Sequence, residues 1–158
     1  MILFLDYDGV LHPDAAYHTK KGVVLRCDGH SLFEHAQLLT DLLGPYPQVQ
    51  IVLSTSWVWA LGFSDAKERL PERLQAKIKG ATWHSRMEER HLWMHYTRYD
   101  QIDTYVKRHL LTDWIAIDDH DNGWPDNERH HLVHTNGLDG IGDTAAQNEL
   151  ITKIQEKL

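Results

Sequence analysis

Cysteine is nearly absent from this chain: Cys27 is the single one in 158 residues. No intramolecular disulfide can form, which excludes a secreted fold stapled by bridges. Proline is scarce, at five residues, and no segment is of low complexity, so the disordered classes are excluded too. No apolar run approaches membrane-spanning length, and a first strand that starts at Met1 with two acids behind it does not resemble a signal peptide. The expected location is therefore the cytoplasm, with no membrane partner. Basic residues are in the minority, 16 against 23 acidic ones, for a net charge of -7 with neutral histidine. Because Lys and Arg supply most non-specific affinity for long nucleic acid, that balance weighs against it and leaves room only for a small basic patch. With 42% hydrophobic and 25% charged residues, the chain reads as one ordinary globular domain over residues 1–158 with a sizeable core.

The chain is organised around its first segment, Met1-Ile2-Leu3-Phe4-Leu5-Asp6-Tyr7-Asp8-Gly9. Four consecutive apolar residues predict a short strand buried on both faces, which delivers Asp6 and Asp8 to its C-terminal lip. In an open α/β sheet that lip is where ligands are held. Residues 12–26, with Pro13, Lys20-Lys21-Gly22 and Val23-Val24-Leu25, read as a loop and hairpin, a flap over the strand end. Start signals at 28–31 and apolar residues at helical spacing from Leu32 to Leu43 predict a helix that stops at Gly44-Pro45. Val49 to Leu53 is a second buried strand, ending in Ser54-Thr55-Ser56-Trp57. Residues 57–79 read as helix in two pieces broken near Pro71, and 80–83 as a short third strand. The segment 84–99 carries no clear pattern. A helix is expected over 100–110, a buried strand over 114–117 ending in Asp118-Asp119, a fifth short strand at Leu132-Val133, and a last helix capped by Asp143 or Thr144. Strands alternating with helices predict a Rossmann-like three-layer α/β sandwich with a mostly parallel five-stranded sheet.

In such a sheet the strand ends share one edge, so Asp6, Asp8, Ser54, Thr55, Ser56, Asp118 and Asp119 converge on one crevice. Several carboxylates crowded together need a counter-charge, and an oxygen-only ligand set suits a hard divalent cation, Mg²⁺ best. Mg²⁺, a carboxylate nucleophile and hydroxyl donors together describe phosphoryl transfer through an aspartyl-phosphate.

Asp6-Tyr7-Asp8-Gly9-Val10-Leu11, the hydroxyl-ended strand 51–56 and Ile115-Ala116-Ile117-Asp118-Asp119 resemble, in order and spacing, motifs of the haloacid dehalogenase-like (HAD) phosphohydrolase superfamily. The wording Leu53-Ser54-Thr55-Ser56-Trp57 and Ala116-Ile117-Asp118-Asp119 is similar to its small capless branch associated with predicted RNA-repair proteins. The resemblance implies Asp6 as nucleophile and metal ligand. It implies Asp8 as general acid and then base, its backbone carbonyl touching the metal. Asp119 would bind the metal directly and Asp118 directly or through water, with Asp121 or Asp126 as outer-sphere help. Thr55 would bind phosphate with Ser56 in support, and Ser54 stays an alternative one residue away. The Lys or Arg that offsets the charge of nucleophile and phosphate would be Arg98, with Arg86, Arg90 and Lys107 as alternatives. Arg in place of the commoner Lys departs from the family pattern but grips phosphate in a bidentate way.

Neither the flap nor the stretch 84–98 is long enough for a folded cap, since independent domains rarely fall below about 40 residues. An open site suits a phosphate on the end of a larger molecule. The expected function is thus a Mg²⁺-dependent phosphomonoesterase acting on a nucleotide, a small phosphate ester or a terminal phosphate of RNA or DNA. The rival reading is a catalytically inactive binding protein that keeps the fold. His91 and His95 lie four apart but lack a third ligand at recognisable spacing, so zinc is not expected. His12 and His120 flank the site as candidate substrate contacts. Trp57, Trp59, Trp93 and Trp124 read as packing residues before base-stacking ones.

Overall fold

Four apolar side chains in a row leave Ile2–Leu5 no solvent face, and the strand they form is the middle of a sheet. The computed structural model describes residues 1–83 and 93–158. Its strands are β1 (Ile2–Leu5), β2 (Ala16–Thr19), β3 (Gly22–Leu25), β4 (Gln50–Leu53), β5 (Ile78–Ala81), β6 (Trp114–Asp118) and β7 (Leu132–His134). Its α-helices are α1 (Ala36–Leu43), α2 (Ser56–Leu61), α3 (Phe63–Glu68), α4 (Glu72–Gln75), α5 (Arg98–His109) and α6 (Thr144–Glu156). One sheet runs β5-β4-β1-β6-β7 with every neighbouring pair parallel. Leu5, the last residue of β1, is in register with Leu53, the last of β4, and with Ile117, one residue before the end of β6, so the three strand ends lie side by side.

Alternation along β1 divides the core. Leu3 and Leu5 join Leu39 and Leu43 of α1 and Leu150 and Ile154 of α6, whereas Phe4 joins Ile102 of α5 together with Trp114 and Trp124. Helices therefore cover both faces and the architecture is the expected three-layer Rossmann-like sandwich. The flap is present as the antiparallel pair β2–β3, a separate two-stranded sheet. Among the described residues no cap domain covers the strand ends, and no helix is long and apolar enough to cross a membrane.

Several boundaries differ from expectation for local reasons. Helix α1 starts at Ala36 rather than near Ser31, because Phe33 adopts φ +59 and the His35 amide donates to Leu11 O at 2.9 Å, tying 31–35 to the segment after β1. Residues 57–79 form three short helices rather than two. The extra break is Gly62 at φ +91, while Pro71 introduces α4 as foreseen. The third strand lies two residues earlier, at Ile78–Ala81. Helix α5 starts at Arg98, fixed by a capping box in which Thr97 and Asp100 exchange hydrogen bonds. The sequence candidates Arg86, Arg90 and His91 lie outside the described residues.

Candidate active site

Each strand end contributes one part. Asp6 directly follows β1, its amide donating to Ile117 O at 3.2 Å, and it is 3% exposed. Asp118 closes β6 and is equally hidden. Arg98 reaches both: its Nη2 lies 3.5 Å from Asp6 Oδ2 and its Nε 2.9 Å from Asp118 Oδ2. As the first residue of α5, Arg98 is aimed by the Thr97–Asp100 cap, in which the Asp100 amide donates to Thr97 Oγ1 at 3.1 Å and the Thr97 amide to Asp100 Oδ2 at 2.9 Å. Lys107, the alternative within the described residues, is exposed and paired with Asp103 at 2.6 Å.

Around this ion pair, one ligand atom each from Asp6, Asp118, Asp119 and His120 lies within 4.8 Å of the others. His120 Nδ1 is 2.8 Å from Asp119 Oδ1, and the His120 amide donates to Asp118 Oδ1 at 2.9 Å. Gly9, at φ +69, makes room for the group, since a Cβ there would collide with the Asp119 carboxyl. Burial, opposed by Arg98 and reinforced by Asp8 and Asp119, pushes Asp6 up to about 6. Burial and the neighbouring Asp6 hold Asp118 well above the usual carboxylate range, against Arg98. Asp119 is raised as well, again by burial first. Arg98 stays charged because four acids outweigh its own desolvation. Three crowded acids that resist ionisation beside one guanidinium form a donor set suited to a further cation, and their oxygens fit Mg²⁺.

The Asp8 carboxylate lies outside that group. Its Oδ1 is 2.9 Å from His12 Nε2, and its Oδ2 accepts from Trp57 Nε1 at 3.0 Å. His12, a candidate substrate contact from its place in the sequence, is fully buried against Asp8. The role of Trp57 was not foreseen. Its position next to Ser54-Thr55-Ser56 was the available signal, as the spacing of four between Asp8 and His12 was for the histidine.

The hydroxyls separate by location. Ser54 Oγ is buried with no hydrogen-bond partner among the described residues. Thr55 caps α2, accepting from the Trp57 amide at 3.4 Å. Thr55 and Ser56 share with Arg98 and Gln101 a cavity of about 310 Å³, walled by Trp59 and Trp93. Of the four tryptophans singled out from the sequence, Trp59 is 47% exposed while Trp57, Trp93 and Trp124 are buried. Asp121 pairs with Arg129 at 2.9 Å, and Asp126 approaches the same arginine at 3.8 Å, so an outward ion pair occupies both rather than the carboxylate cluster.

A family model described as the HAD domain in Swiss Army Knife RNA repair proteins matches residues 2–146. The chain belongs to that family. No curated protein and no solved structure matches it.

Proposed function

We propose that this HAD-family chain is a Mg²⁺-dependent phosphomonoester hydrolase with Asp6 as its nucleophile. The observation that carries the reading is Arg98 set between Asp6 and Asp118, with Asp119 and His120 closing the acidic group around them. An Asp6 oxygen attacks phosphorus, the bond from phosphorus to the ester oxygen breaks, and Asp8 gives that oxygen its proton. Asp8 then takes a proton from water as the water oxygen attacks the aspartyl-phosphate, which returns Asp6 as a carboxylate and releases phosphate. Arg98 holds the phosphoryl oxygens against the nucleophile, with Thr55 as the hydroxyl donor and Ser56 beside it, because these two share its cavity and Ser54 does not. Asp6, Asp118, Asp119 and the Asp8 carbonyl would hold the Mg²⁺, which when bound supplies positive charge against the nucleophile and phosphate.

The substrate class we infer is a phosphate at the end of a nucleic acid or on a nucleotide. The family description and strand ends that no cap covers among the described residues support it, as does the exposed Trp59 beside Arg98, a face on which a base can stack. The rival, a fold kept without catalysis, is motivated by the lack of a certain cation at Asp6, and Arg98 Nη2 at 3.5 Å from that carboxylate supports the catalytic reading over it. The test is Mg²⁺-dependent release of phosphate from an aryl phosphate, with Asp6→Asn expected to abolish it. A wild-type chain silent across a broad ester panel overturns the reading. Rates on a 3′- or 5′-phosphorylated oligonucleotide should exceed those on sugar phosphates, and equal or poorer rates overturn the substrate class alone.

A further inference from the structure

Asp8 is held by two side chains whose own chemistry the reaction does not call for. The Phe33 amide donates to His12 Nδ1 at 3.1 Å. A backbone N–H can only donate, so Nδ1 is the acceptor and the ring proton sits on Nε2. That proton is directed at Asp8 Oδ1, 2.9 Å away, and the Trp57 indole N–H, which can only donate, takes Oδ2 at 3.0 Å. One donor on each oxygen fixes the plane of the carboxyl group as well as its position, and leaves a free lone pair on each oxygen for substrate or water. The donors are themselves immobilised: His12, Phe33 and Trp57 meet edge to face, with ring centroids 4.9, 5.8 and 5.1 Å apart. Phe33 holds φ +59, a conformation that a bulky residue seldom adopts, and its amide meets the histidine from there.

We propose that His12 and Trp57 are positioning residues that fix the Asp8 carboxyl for proton transfer to the leaving oxygen and then from water, an inference that rests on the phosphatase reading above. Asp8 acts twice, first towards the ester oxygen and then towards water, and both steps need the same group at the same place. General acid catalysis contributes about 10²- to 10⁴-fold, and a displacement of about 1 Å forfeits much of such a contribution. That contribution matters for an alkoxide leaving group and hardly at all for a good one such as 4-nitrophenolate.

The experiment measures kcat/KM, which reports through the first irreversible step, for 4-nitrophenyl phosphate, phenyl phosphate and an alkyl phosphate. Trp57→Phe keeps a ring in the cluster and deletes the N–H. It should lower kcat/KM on the alkyl ester about 10- to 100-fold and on the 4-nitrophenyl ester by less than about threefold. The inhibition constant of inorganic phosphate should stay within about twofold of wild type, because Arg98 and Thr55 are untouched. Placed in an Asp8→Asn background, Trp57→Phe should add no further loss on the alkyl ester, since its effect passes through Asp8. His12→Gln, which retains a donor for Asp8, should recover part of what His12→Ala loses. Equal losses on all three esters, or the same loss with and without Asp8, overturn the inference and leave Trp57 a packing residue. A wild-type chain that hydrolyses none of the esters overturns the phosphatase reading, and the inference with it.

Discussion

Replacing Asp6 by Asn should stabilise the metal-free protein while abolishing turnover, and the gain should depend on pH in a defined way. Asp6 is 3% exposed and its pKa rises from 3.8 to about 6, chiefly through burial, with Asp8 and Asp119 adding to the rise and Arg98 opposing it. At about 1.4 kcal/mol per tenfold in proton affinity, the ionised carboxylate costs the fold roughly 3 kcal/mol. That figure is already net of Arg98. The folded protein holds this proton more tightly than the unfolded chain, so the favourable contribution is complete below 3.8 and is lost as pH rises through about 6. Asparagine is neutral, close in shape, and keeps an oxygen for the Tyr7 amide, which donates to Asp6 Oδ1 at 2.8 Å. The variant and wild type should therefore be nearly equal at about pH 4 and differ by up to roughly 3 kcal/mol at about pH 7.5. For a chain of this length that is about 6–12 °C in Tm. Urea or thermal unfolding in chelator at pH 4, 5.5 and 7.5 measures it. Added Mg²⁺ should raise the wild-type Tm and leave the variant's nearly unmoved. A gap equal at both ends of the range, or a variant less stable at neutral pH, refutes the charge-crowding account.

The space beside Gly9 is used by Asp119, so Gly9→Ala should both strain the backbone at φ +69 and displace that carboxyl. Its Mg²⁺-induced rise in Tm should shrink well below that of wild type, and a full rise would show that Asp119 is not a ligand. Thr97→Ala removes the cap that aims Arg98 and should cost about 1 kcal/mol, or about 2–4 °C in Tm. The inhibition constant of inorganic phosphate should weaken in the same variant, whereas an unchanged constant would mean that Arg98 is aimed by its ion pairs alone.

Much of the fold could be read because its signals are one-dimensional. Runs of apolar residues at 2–5, 51–53 and 114–117 have a single stable use, burial in a parallel sheet, and the polar groups at their ends follow at once. Asp6, Asp118 and Asp119 were legible for that reason, and Arg98 because a helix start was expected close by. The boundary of α1 was not legible. Leu32 and Phe33 have the helical spacing, but Phe33 spends its amide on His12, a partner 21 residues away. The break at Gly62 was hidden because good helix formers stand before it at Ala60-Leu61 and resume at Ala66-Lys67-Glu68. Trp57 and His12 escaped for a related reason: an indole N–H or a buried imidazole acquires its meaning from the acceptor it meets, and Trp57 and Asp8 are 49 positions apart.

Two acids separated by one residue lie against different partners, and Tyr7 between them anchors the segment that carries both. Tyr7 is fully buried, its hydroxyl donates to Ala66 O at 2.9 Å, and its ring meets Phe33 and Trp57 edge to face at 5.2 and 5.9 Å. The same ring that anchors α3 thus supports the indole that holds Asp8. Asp6 is managed by charge: a guanidinium, and an acidic cluster that a divalent cation would complete. Asp8 is managed by geometry, since its partners are a Trp57 N–H and a histidine whose proton is fixed by a backbone amide. A second cation at Asp8 in place of the indole would orient that carboxyl equally well but would compete with the metal and Arg98 for the phosphate. Neutral donors orient it and leave the positive charge concentrated at Asp6, where the proposed mechanism brings the phosphoryl group.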